Sequence, residues 1–291
     1  MSGSAGHMVD VVAILATIVG LSVTIGYGVS QLASGFFNIS GAQWLVDDSG
    51  KPTLVAQLVG LILIISASCL SAMSGLKKGI KWLSNINMGL SVFVIAFFVI
   101  FGATFFALQT FFYAIWDYLV ALPAMSTTVW SGEGPEPATA LQSWQGAWSI
   151  FYWAWWLAYG PFIGIFVTRI SRGRSLREVV LGMLGMGSMG VWLFYLIVGN
   201  HSLGLQVSGE VDILAVMAES GGNQAIISGL DALPFAGLFI VGFILLCSIF
   251  TATTYDSASY VLAASATKSL KPSEDPAQWH RVFWAVAITI L

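Results

Sequence analysis

A dense group of aromatic side chains lies in the apolar stretch from Trp148 to Thr168, which contains no charged residue. Trp153, Trp155, Trp156 and Tyr159 all fall within two helical turns. Tryptophan is common in the aromatic belts at membrane surfaces, and such a belt is the alternative to a binding role. This group, however, continues towards the middle of the stretch, where a belt does not reach. Indole faces at that depth favour a desolvated cation that makes no hydrogen bonds, such as a quaternary ammonium held by cation–π attraction.

A second polar group interrupts the long apolar segment that follows Pro234. Its hydroxyl and carboxyl side chains belong to Thr251, Thr253, Thr254, Asp256, Ser257 and Ser259. Single Ser and Thr side chains in membrane helices usually donate to their own backbone. A carboxylate at a helix centre costs about 2.5–3.5 kcal/mol on insertion scales, so Asp256 is expected to face protein or water. Hydroxyls and a freed backbone carbonyl are hard oxygen ligands that suit Na⁺.

The composition is that of an integral membrane protein. Of the 291 residues, 57% are hydrophobic and only 9% are charged, whereas soluble domains carry about 25% charged residues. Cys69 and Cys247 lie in apolar runs and are predicted to be packing residues, and the three histidines show no ligand spacing. A membrane hydrolase using Asp256 and Ser257 is disfavoured, because adjacent residues project about 100° apart on a helix and no His or Lys base lies at that depth.

An apolar stub at 282–291 follows six full membrane helices, which the hydropathy pattern places at about 9–38, 53–74, 88–115, 144–169, 178–199 and 233–266. The lysines and arginines predict the orientation of these helices. Ten of the eleven basic residues fall in alternate connections, the last of which includes Arg281, and Lys51 is the exception. By the positive-inside rule these connections, together with the N-terminus, face the cytoplasm.

Small residues mark two predicted contact surfaces between helices. Gly20, Thr24, Gly28 and Gly35 fall along one stripe of the first predicted helix, where they permit close approach of a neighbour. The hexapeptide GMGSMG at 185–190 has the spacing of a dinucleotide-binding fingerprint, but that motif requires a preceding strand in a soluble fold. Because the hexapeptide lies in a predicted membrane helix, it also indicates helix packing and not a nucleotide site.

Two runs of sequence, FYWAWWLAYGPF at 151–162 and TRISRGRSLRE at 168–178, resemble the signature of the betaine/carnitine/choline transporter family. The resemblance implies an all-α integral membrane protein with a partial LeuT-like inverted-repeat fold. Members of the family have twelve membrane helices, and this sequence corresponds to the fifth helix through the start of the eleventh. We therefore expect residues 1–291 to form a single partial transporter domain, truncated at both ends, in the cell membrane.

The resemblance also implies a set of solute-binding residues. Trp153, Trp155 and Trp156 correspond to the solute pocket of the family, with Trp156 in direct contact with the solute. Tyr159 stands where the family usually has another Trp, so it offers a weaker π face. In the family, further aromatic residues of this pocket come from a helix outside this sequence.

The run IFTATTYDSASY resembles the FxxTSxDS stretch that holds a sodium ion in the family. Carried over, the ligands are the carbonyl of Phe250 and the hydroxyls of Thr253 and Thr254, the last of which is usually Ser. A second sodium site of some members would involve Thr17 and Phe162. Leu21 occupies the position that corresponds to another ligand of that second site.

The predicted function is secondary transport of a quaternary ammonium or sulfonium solute, such as glycine betaine, choline or carnitine, coupled to Na⁺ and working by alternating access. The alternatives are a sodium-independent exchanger and a non-transporting receptor or remnant. Exchangers of the family carry an arginine in the first helix of this fragment, whereas no basic residue occurs from Val11 to Gly50. The expected partners are the solute, the lipid bilayer and, as is common in the family, further copies in a homotrimer. No enzyme activity, nucleic-acid partner or cofactor besides the coupling ion is expected.

Overall fold

The computed structural model describes residues 3–74, 79–130, 136–268, 270 and 274–290. These residues are almost entirely helical and contain no β-strand, only an isolated bridge between Val46 and Pro52. The predicted all-α architecture is therefore confirmed. The α-helices have the following bounds: α1 Gly3–Ser40, α2 Leu54–Ser74, α3 Gly79–Phe101, α4 Thr104–Thr127, α5 Glu136–Gln145, α6 Phe151–Ile170, α7 Leu176–Val180, α8 Ser188–Phe194, α9 Asn200–Ser208, α10 Ile213–Ser220, α11 Gly222–Asp231, α12 Ala236–Ser265 and α13 Gln278–Ile290.

Six helical segments of the described chain are long and apolar enough to cross a membrane. They are Gly6–Ser40, Trp82–Phe101, Thr104–Thr127, Thr139–Ile170, Leu176–Ser208 and Ala236–Ser265. The number of candidate spans agrees with the prediction, but the helices are not the same six. α2 was predicted to span the membrane and has a shorter apolar stretch, whereas α4 is an additional candidate. The prediction of one helix at 88–115 is wrong, since these residues are divided between α3 and α4.

A buried histidine stabilises the break between α3 and α4. The backbone N–H of Ala103 donates to Nδ1 of His201 at 3.2 Å, so Nε2 carries the ring proton and donates to the carbonyl of Gly229 at 3.1 Å. The Thr104 hydroxyl donates to the carbonyl of Val99 at 2.6 Å, which satisfies an acceptor left at the end of α3. Spacing alone did not indicate this role for His201, because its partners come from distant parts of the chain.

The glycine stripe of α1 allows the close packing that it predicts. A Cβ built on Gly28 would lie 2.6 Å from Oγ1 of Thr251 in α12, and one built on Gly35 would lie 2.5 Å from the Ile244 side chain. The two backbones can approach this closely only because neither glycine has a side chain. α1 and α12 run antiparallel, since the later glycine meets the earlier residue of α12.

The second predicted surface of small residues is helical but is not packed. Residues 185–190 belong to a π-helical turn, Leu181–Gly187, and to α8, which follows it directly. A Cβ built on Gly185, Gly187 or Gly190 would have no atom of another part of the described chain within 4 Å. The helical prediction is confirmed, whereas helix packing on these glycines does not occur in the described chain.

α12 lies at the centre of the helix packing. It contacts α1, α2, α3, α6 and α13, and most of its buried apolar side chains belong to the main hydrophobic cluster. A helix that is apolar on all sides is expected to be enclosed by others. In lipid, van der Waals packing and interhelical hydrogen bonds hold such helices together, because lipid tails are as apolar as the side chains.

Three helix ends meet beside the segment that joins α12 to α13. Nε2 of Gln278 donates to the carbonyl of Met73 at the end of α2 (3.4 Å), and Nη1 of Arg169 at the end of α6 donates to the carbonyl of Glu274 (3.1 Å). The C-terminal ends of α2 and α6 and the N-terminal end of α13 therefore lie on one side of the bundle. The basic residues predict that this side faces the cytoplasm.

One basic residue lies elsewhere than predicted. Arg281, which was expected in a loop, lies in α13, where only 2% of its side chain is exposed. A buried arginine in such a position requires a partner of opposite charge, and Asp256 supplies it. The lysines at 77, 78 and 271 lie outside the described residues, so their predicted position is not tested.

Candidate solute and ion site

α6 presents its aromatic side chains on two adjoining faces, as the helical period predicts. The π-helical turn Gly146–Ile150 leads directly into α6 and extends this surface. On one face successive rings contact each other, with centroids 5.5, 5.5 and 6.2 Å apart, from Trp148 through Tyr152 and Trp155 to Tyr159. Aromatic pairs at such separations contribute about 0.5–1.5 kcal/mol each beyond the burial of their area.

Two of the predicted pocket residues are attached to α1 by hydrogen bonds. Nε1 of Trp155 donates to the carbonyl of Gly20 at 2.9 Å, and the hydroxyls of Tyr159 and Thr24 share a hydrogen bond of 2.6 Å. A glycine is needed at position 20, because a Cβ there would lie 2.9 Å from the Tyr159 ring. Trp155 and Tyr159 are consequently half-buried between α1 and α6.

The other two predicted pocket residues line an open groove. Trp153 and Trp156 are 71% and 68% exposed, and with Trp148, Ser149 and Tyr152 they border an open groove of about 440 Å³. The lining offers π faces and a single aliphatic hydroxyl, without a charged group, which suits a cation that makes no hydrogen bonds. Trp148 and Tyr152 were not predicted as pocket residues. Their i, i+4, i+8 spacing with Trp156 was the available signal, because such residues share one face of a helix.

The predicted sodium ligands of α12 lie within one turn. The hydroxyls of Thr253 and Thr254 both donate to the carbonyl of Phe250, at 2.8 and 3.0 Å. α12 is a regular helix here, so the carbonyl also accepts the backbone N–H of Thr254. Each hydroxyl oxygen keeps a lone pair that points away from the carbonyl and could contact a hard cation. The two hydroxyl oxygens fit part of a sodium coordination shell, whereas the Phe250 carbonyl already accepts these hydrogen bonds and is not freed from the helix, contrary to the expectation from the sequence.

This turn of α12 is open on one side. Phe250 is 58% exposed, and the two threonines are partly exposed. Further ligands from outside the described residues would therefore have access to the three oxygens. The assignment of this turn to Na⁺ stays a prediction.

The residues predicted for a second sodium site lie in packed surroundings. Thr17 and Phe162 are both buried, the first on α1 and the second on α6. The Thr17 hydroxyl donates to the carbonyl of Ala13 at 2.7 Å, and the Phe162 ring lies 5.5 Å from the ring of Tyr159. Leu21 belongs to the same apolar cluster as Phe162. These contacts are those of a helix interface, and the second site stays a prediction.

The carboxylate of Asp256 lies inside the protein, as its membrane depth requires. Its side chain is 0% exposed, and Oδ1 is paired with Nη2 of Arg281 at 2.7 Å. This pair was missed because the arginine was assigned to a loop. An intramembrane carboxylate needs a partner, so the arginine beside the apolar stub was the available signal. A carboxylate paired in this way is not free to act as a general base, which further disfavours a hydrolase.

The connection between α1 and α2 forms an ordered turn outside the candidate spans. Oδ1 of Asp47 accepts hydrogen bonds from the Ser49 hydroxyl (2.7 Å) and from the backbone N–H groups of Ser49 and Lys51 (both 2.9 Å). These bonds, with the Ser49 hydroxyl first, lower the pKa of Asp47 below its ordinary value. Gly50, with a φ of +75°, makes the turn and lies against Ser220.

Comparison with known proteins identifies a family over the full length of the chain. The profile described as "BCCT, betaine/carnitine/choline family transporter" matches residues 1–291. The similar proteins include an uncharacterized transporter of Mycobacterium tuberculosis, 35% identical over 290 residues. They also include a glycine betaine transporter of Bacillus subtilis, 31% identical over 286 residues, and an osmo-independent choline transporter of Acinetobacter baylyi, 32% identical over 297 residues.

These alignments cover nearly all of this chain but only part of each relative. They include 98%, 98% and 99% of the chain, and 45%, 52% and 53% of the relatives in the same order. The chain thus spans about half the length of the curated relatives that it matches.

Proposed function

Because this chain belongs to the betaine/carnitine/choline family of transporters, we propose that it takes part in the sodium-coupled symport of a quaternary ammonium or sulfonium solute. The chain is a multi-pass protein of the cell membrane, and its relatives are transporters and not enzymes. Relatives named as glycine betaine and choline transporters support a solute of this class. Glycine betaine, choline and carnitine are the candidates.

The groove on α6 is the observation that carries this proposal. A trimethylammonium group cannot donate a hydrogen bond, so a site for it has to replace water by π faces. Trp153 and Trp156 supply two indoles on one side, and the stacked rings of Trp148 and Tyr152 continue the wall. Trp155, on the adjoining face, holds α6 on α1 through its hydrogen bond to the Gly20 carbonyl. The open face of the groove leaves room for aromatic residues beyond the described chain.

The oxygen atoms of α12 support coupling to sodium. A bound Na⁺ would supply positive charge at the carbonyl of Phe250 and the hydroxyls of Thr253 and Thr254. α6 and α12 contact each other and both pack on α1, so an ion at one helix can affect the position of the other. Solute and ion would then favour the same conformation and be carried together.

The rival within the same family is a sodium-independent exchanger. A chain that resembles these exchangers would carry an arginine in α1, but α1 contains no lysine or arginine. Arg281 does not take that place, because its guanidinium is engaged by Asp256. The absence of lysine and arginine from α1 favours the symporter. A homotrimeric assembly stays a prediction.

Uptake measurements on the transporter in proteoliposomes test the proposal. We expect radiolabelled glycine betaine or choline to accumulate when an inward sodium gradient is present. Replacement of sodium by potassium should abolish this accumulation. Uptake that is indifferent to the replacement would refute sodium coupling and support the exchanger.

A matched pair of variants locates the ion. Thr253→Val keeps the shape of the side chain and removes the oxygen, so the sodium concentration for half-maximal uptake should rise, with a smaller change in maximal rate. Thr251→Val is the control, because the Thr251 hydroxyl also donates to its own backbone, at the Cys247 carbonyl, but is not a predicted ligand. Equal sodium dependence of the two variants would exclude Thr253 as a ligand.

A further inference from the structure

A buried ion pair joins the helix of the predicted sodium ligands to α13. Asp256 of α12 and Arg281 of α13 are 0% and 2% exposed, and Oδ1 lies 2.7 Å from Nη2. The pair bridges 25 residues of chain. Its two members lie on adjacent helices that pack along one another, α12 and α13.

The stability of the bundle alone does not account for such a pair. Transfer of two charges out of water is costly, and well-packed apolar residues of the same volume are often as stabilising as a buried ion pair. An apolar contact, however, tolerates rotation and sliding of one helix against the other. A charge pair with a defined donor and acceptor fixes both, and a role in register is the best-attested use of buried ionic groups.

The same arginine makes a second contact with α12. Cζ of Arg281 lies 5.6 Å from the centre of the Tyr260 ring, within the range of a cation–π contact. The Tyr260 hydroxyl donates to Oδ1 of Asp275 at 2.8 Å, in the segment between α12 and α13. Asp256 and Tyr260 are one turn apart on α12 and both contact Arg281, so the guanidinium sets the rotation of this part of the helix.

The fixed turn is next to the predicted ion ligands. Asp256 follows Thr253 by one helical turn and lies about 160° around the helix axis from Thr254. Rotation of α12 about its axis would therefore move Asp256 and both hydroxyls together. α12 remains a regular helix from the ligands to the ion pair, which transmits such a rotation.

We infer that Asp256 and Arg281 are positioning residues for ion coupling: their buried pair sets the rotation of α12 and so orients the oxygens of Phe250, Thr253 and Thr254. This inference rests on the proposed sodium coupling. The pair itself does not contact the ion. Its removal should weaken the response to sodium even when the protein still folds and inserts.

The test uses the sodium dependence of uptake by the transporter in proteoliposomes. The double variant Asp256→Asn with Arg281→Met removes both charges at similar volume and leaves no unpaired charge in the membrane. We expect its half-saturating sodium concentration to rise about tenfold, which corresponds to the middle of the range of coupling between contacting residues. Arg281→Lys keeps a cation beside Asp256, so that no charge is left unpaired in the membrane, and should stay within about threefold of the parent.

A packing control separates positioning from simple loss of stability. Ile288→Ala removes a buried apolar side chain of α13 without touching a charge. It should lower the amount of folded transporter but leave the half-saturating sodium concentration unchanged. If the ion pair only stabilises the fold, the double variant should likewise give less folded transporter with an unchanged half-saturating sodium concentration.

Three outcomes would overturn the inference. The first is a parent-like sodium response of the double variant, which leaves the proposed symport intact. The second is an Arg281→Lys variant whose half-saturating sodium concentration is shifted tenfold or more, which would show that charge pairing is not the decisive feature. This outcome can be measured even if the double variant does not insert into the membrane. The third is a parent whose uptake does not depend on sodium, which refutes the proposed coupling and this inference together.

Discussion

Substitution of Gly28 by Ala tests how closely α1 packs on α12. A Cβ at this position would lie 2.6 Å from Oγ1 and 3.0 Å from Cγ2 of Thr251. Insertion of a methyl group into a packed interface costs about 1–3 kcal/mol, and the better helix propensity of Ala offsets up to about 1 kcal/mol of this. Gly26→Ala is the matched control, because a Cβ there meets no atom within 4 Å. Since the propensity term is common to both variants, the difference between them measures the packing cost, about 1–3 kcal/mol.

A second substitution identifies the contact that causes the loss. Thr251→Ala removes the two atoms nearest to the new methyl group, and the third nearest, the Cβ of residue 251, lies at 3.4 Å, which is an ordinary van der Waals separation. It also removes the hydroxyl that donates to the carbonyl of Cys247, so the single variant has its own cost. In a double-mutant cycle, Gly28→Ala should be less destabilising in the Thr251→Ala background, by about 0.5–3 kcal/mol.

Thermal unfolding of the purified transporter in detergent, followed by tryptophan fluorescence, measures these differences. The expected order of unfolding temperature is Gly26→Ala at or above the parent, and Gly28→Ala clearly below it. Equal unfolding temperatures for the two alanine variants would refute the close approach of α1 and α12. Additive effects of Gly28→Ala and Thr251→Ala would refute the assignment of the contact to that threonine.

Three further predictions concern the solute, the orientation and the turn before α2. Trp156→Ala should weaken the binding of glycine betaine or choline by about 5–30-fold in a fluorescence titration, because a partly desolvated cation–π contact contributes about 1–2 kcal/mol. Trp156→Phe should keep part of the affinity. Parent-like binding by the Ala variant would exclude Trp156 from the solute site. Arg172→Cys, made in a background without the native cysteines, should react with an impermeant maleimide only after the cells are opened. Labelling in intact cells would show that the orientation is opposite to the predicted one. The pKa of Asp47 is lowered in the fold, so its bonds stabilise the turn above the ordinary pKa of aspartate and are lost as pH falls through the lowered value. Hydrogen exchange of the Lys51 amide should then speed up at acidic pH relative to neighbouring amides, and Asp47→Asn should abolish this pH dependence.

Local patterns in the sequence predict those parts of the site that lie on one helix. The two faces of α6 follow from a rotation of about 100° per residue, and the contacts from Trp148 to Tyr159 agree with it. The approach of the Thr253 and Thr254 hydroxyls to the Phe250 carbonyl likewise depends only on separations of three and four residues. Such features are independent of the other helices.

The break between α3 and α4 shows where local patterns fail. The apolar run from 88 to 115 has no proline that would end a helix, so hydropathy predicts one element. The structure divides it because His201 accepts the backbone N–H of Ala103, and this acceptor lies almost one hundred residues further along the chain. The local features at the break are Gly102 and Thr104, and membrane helices tolerate such residues without ending, so the sequence around the break does not identify it.

The amino-acid sequence by itself determined that this protein is a helical membrane protein, where most of its apolar segments lie, and which residues share a face of α6 or a turn of α12. These properties depend on composition and on the geometry of a single helix. Tertiary structure decided that Trp155 and Tyr159 attach to α1 while Trp153 and Trp156 line the groove. It also decided that Asp256 is paired with Arg281. The physical reason is that every face of these helices is apolar enough to contact either lipid or another helix. Only the fit between two helices and the need to pair a buried charge therefore determine which helices pack together.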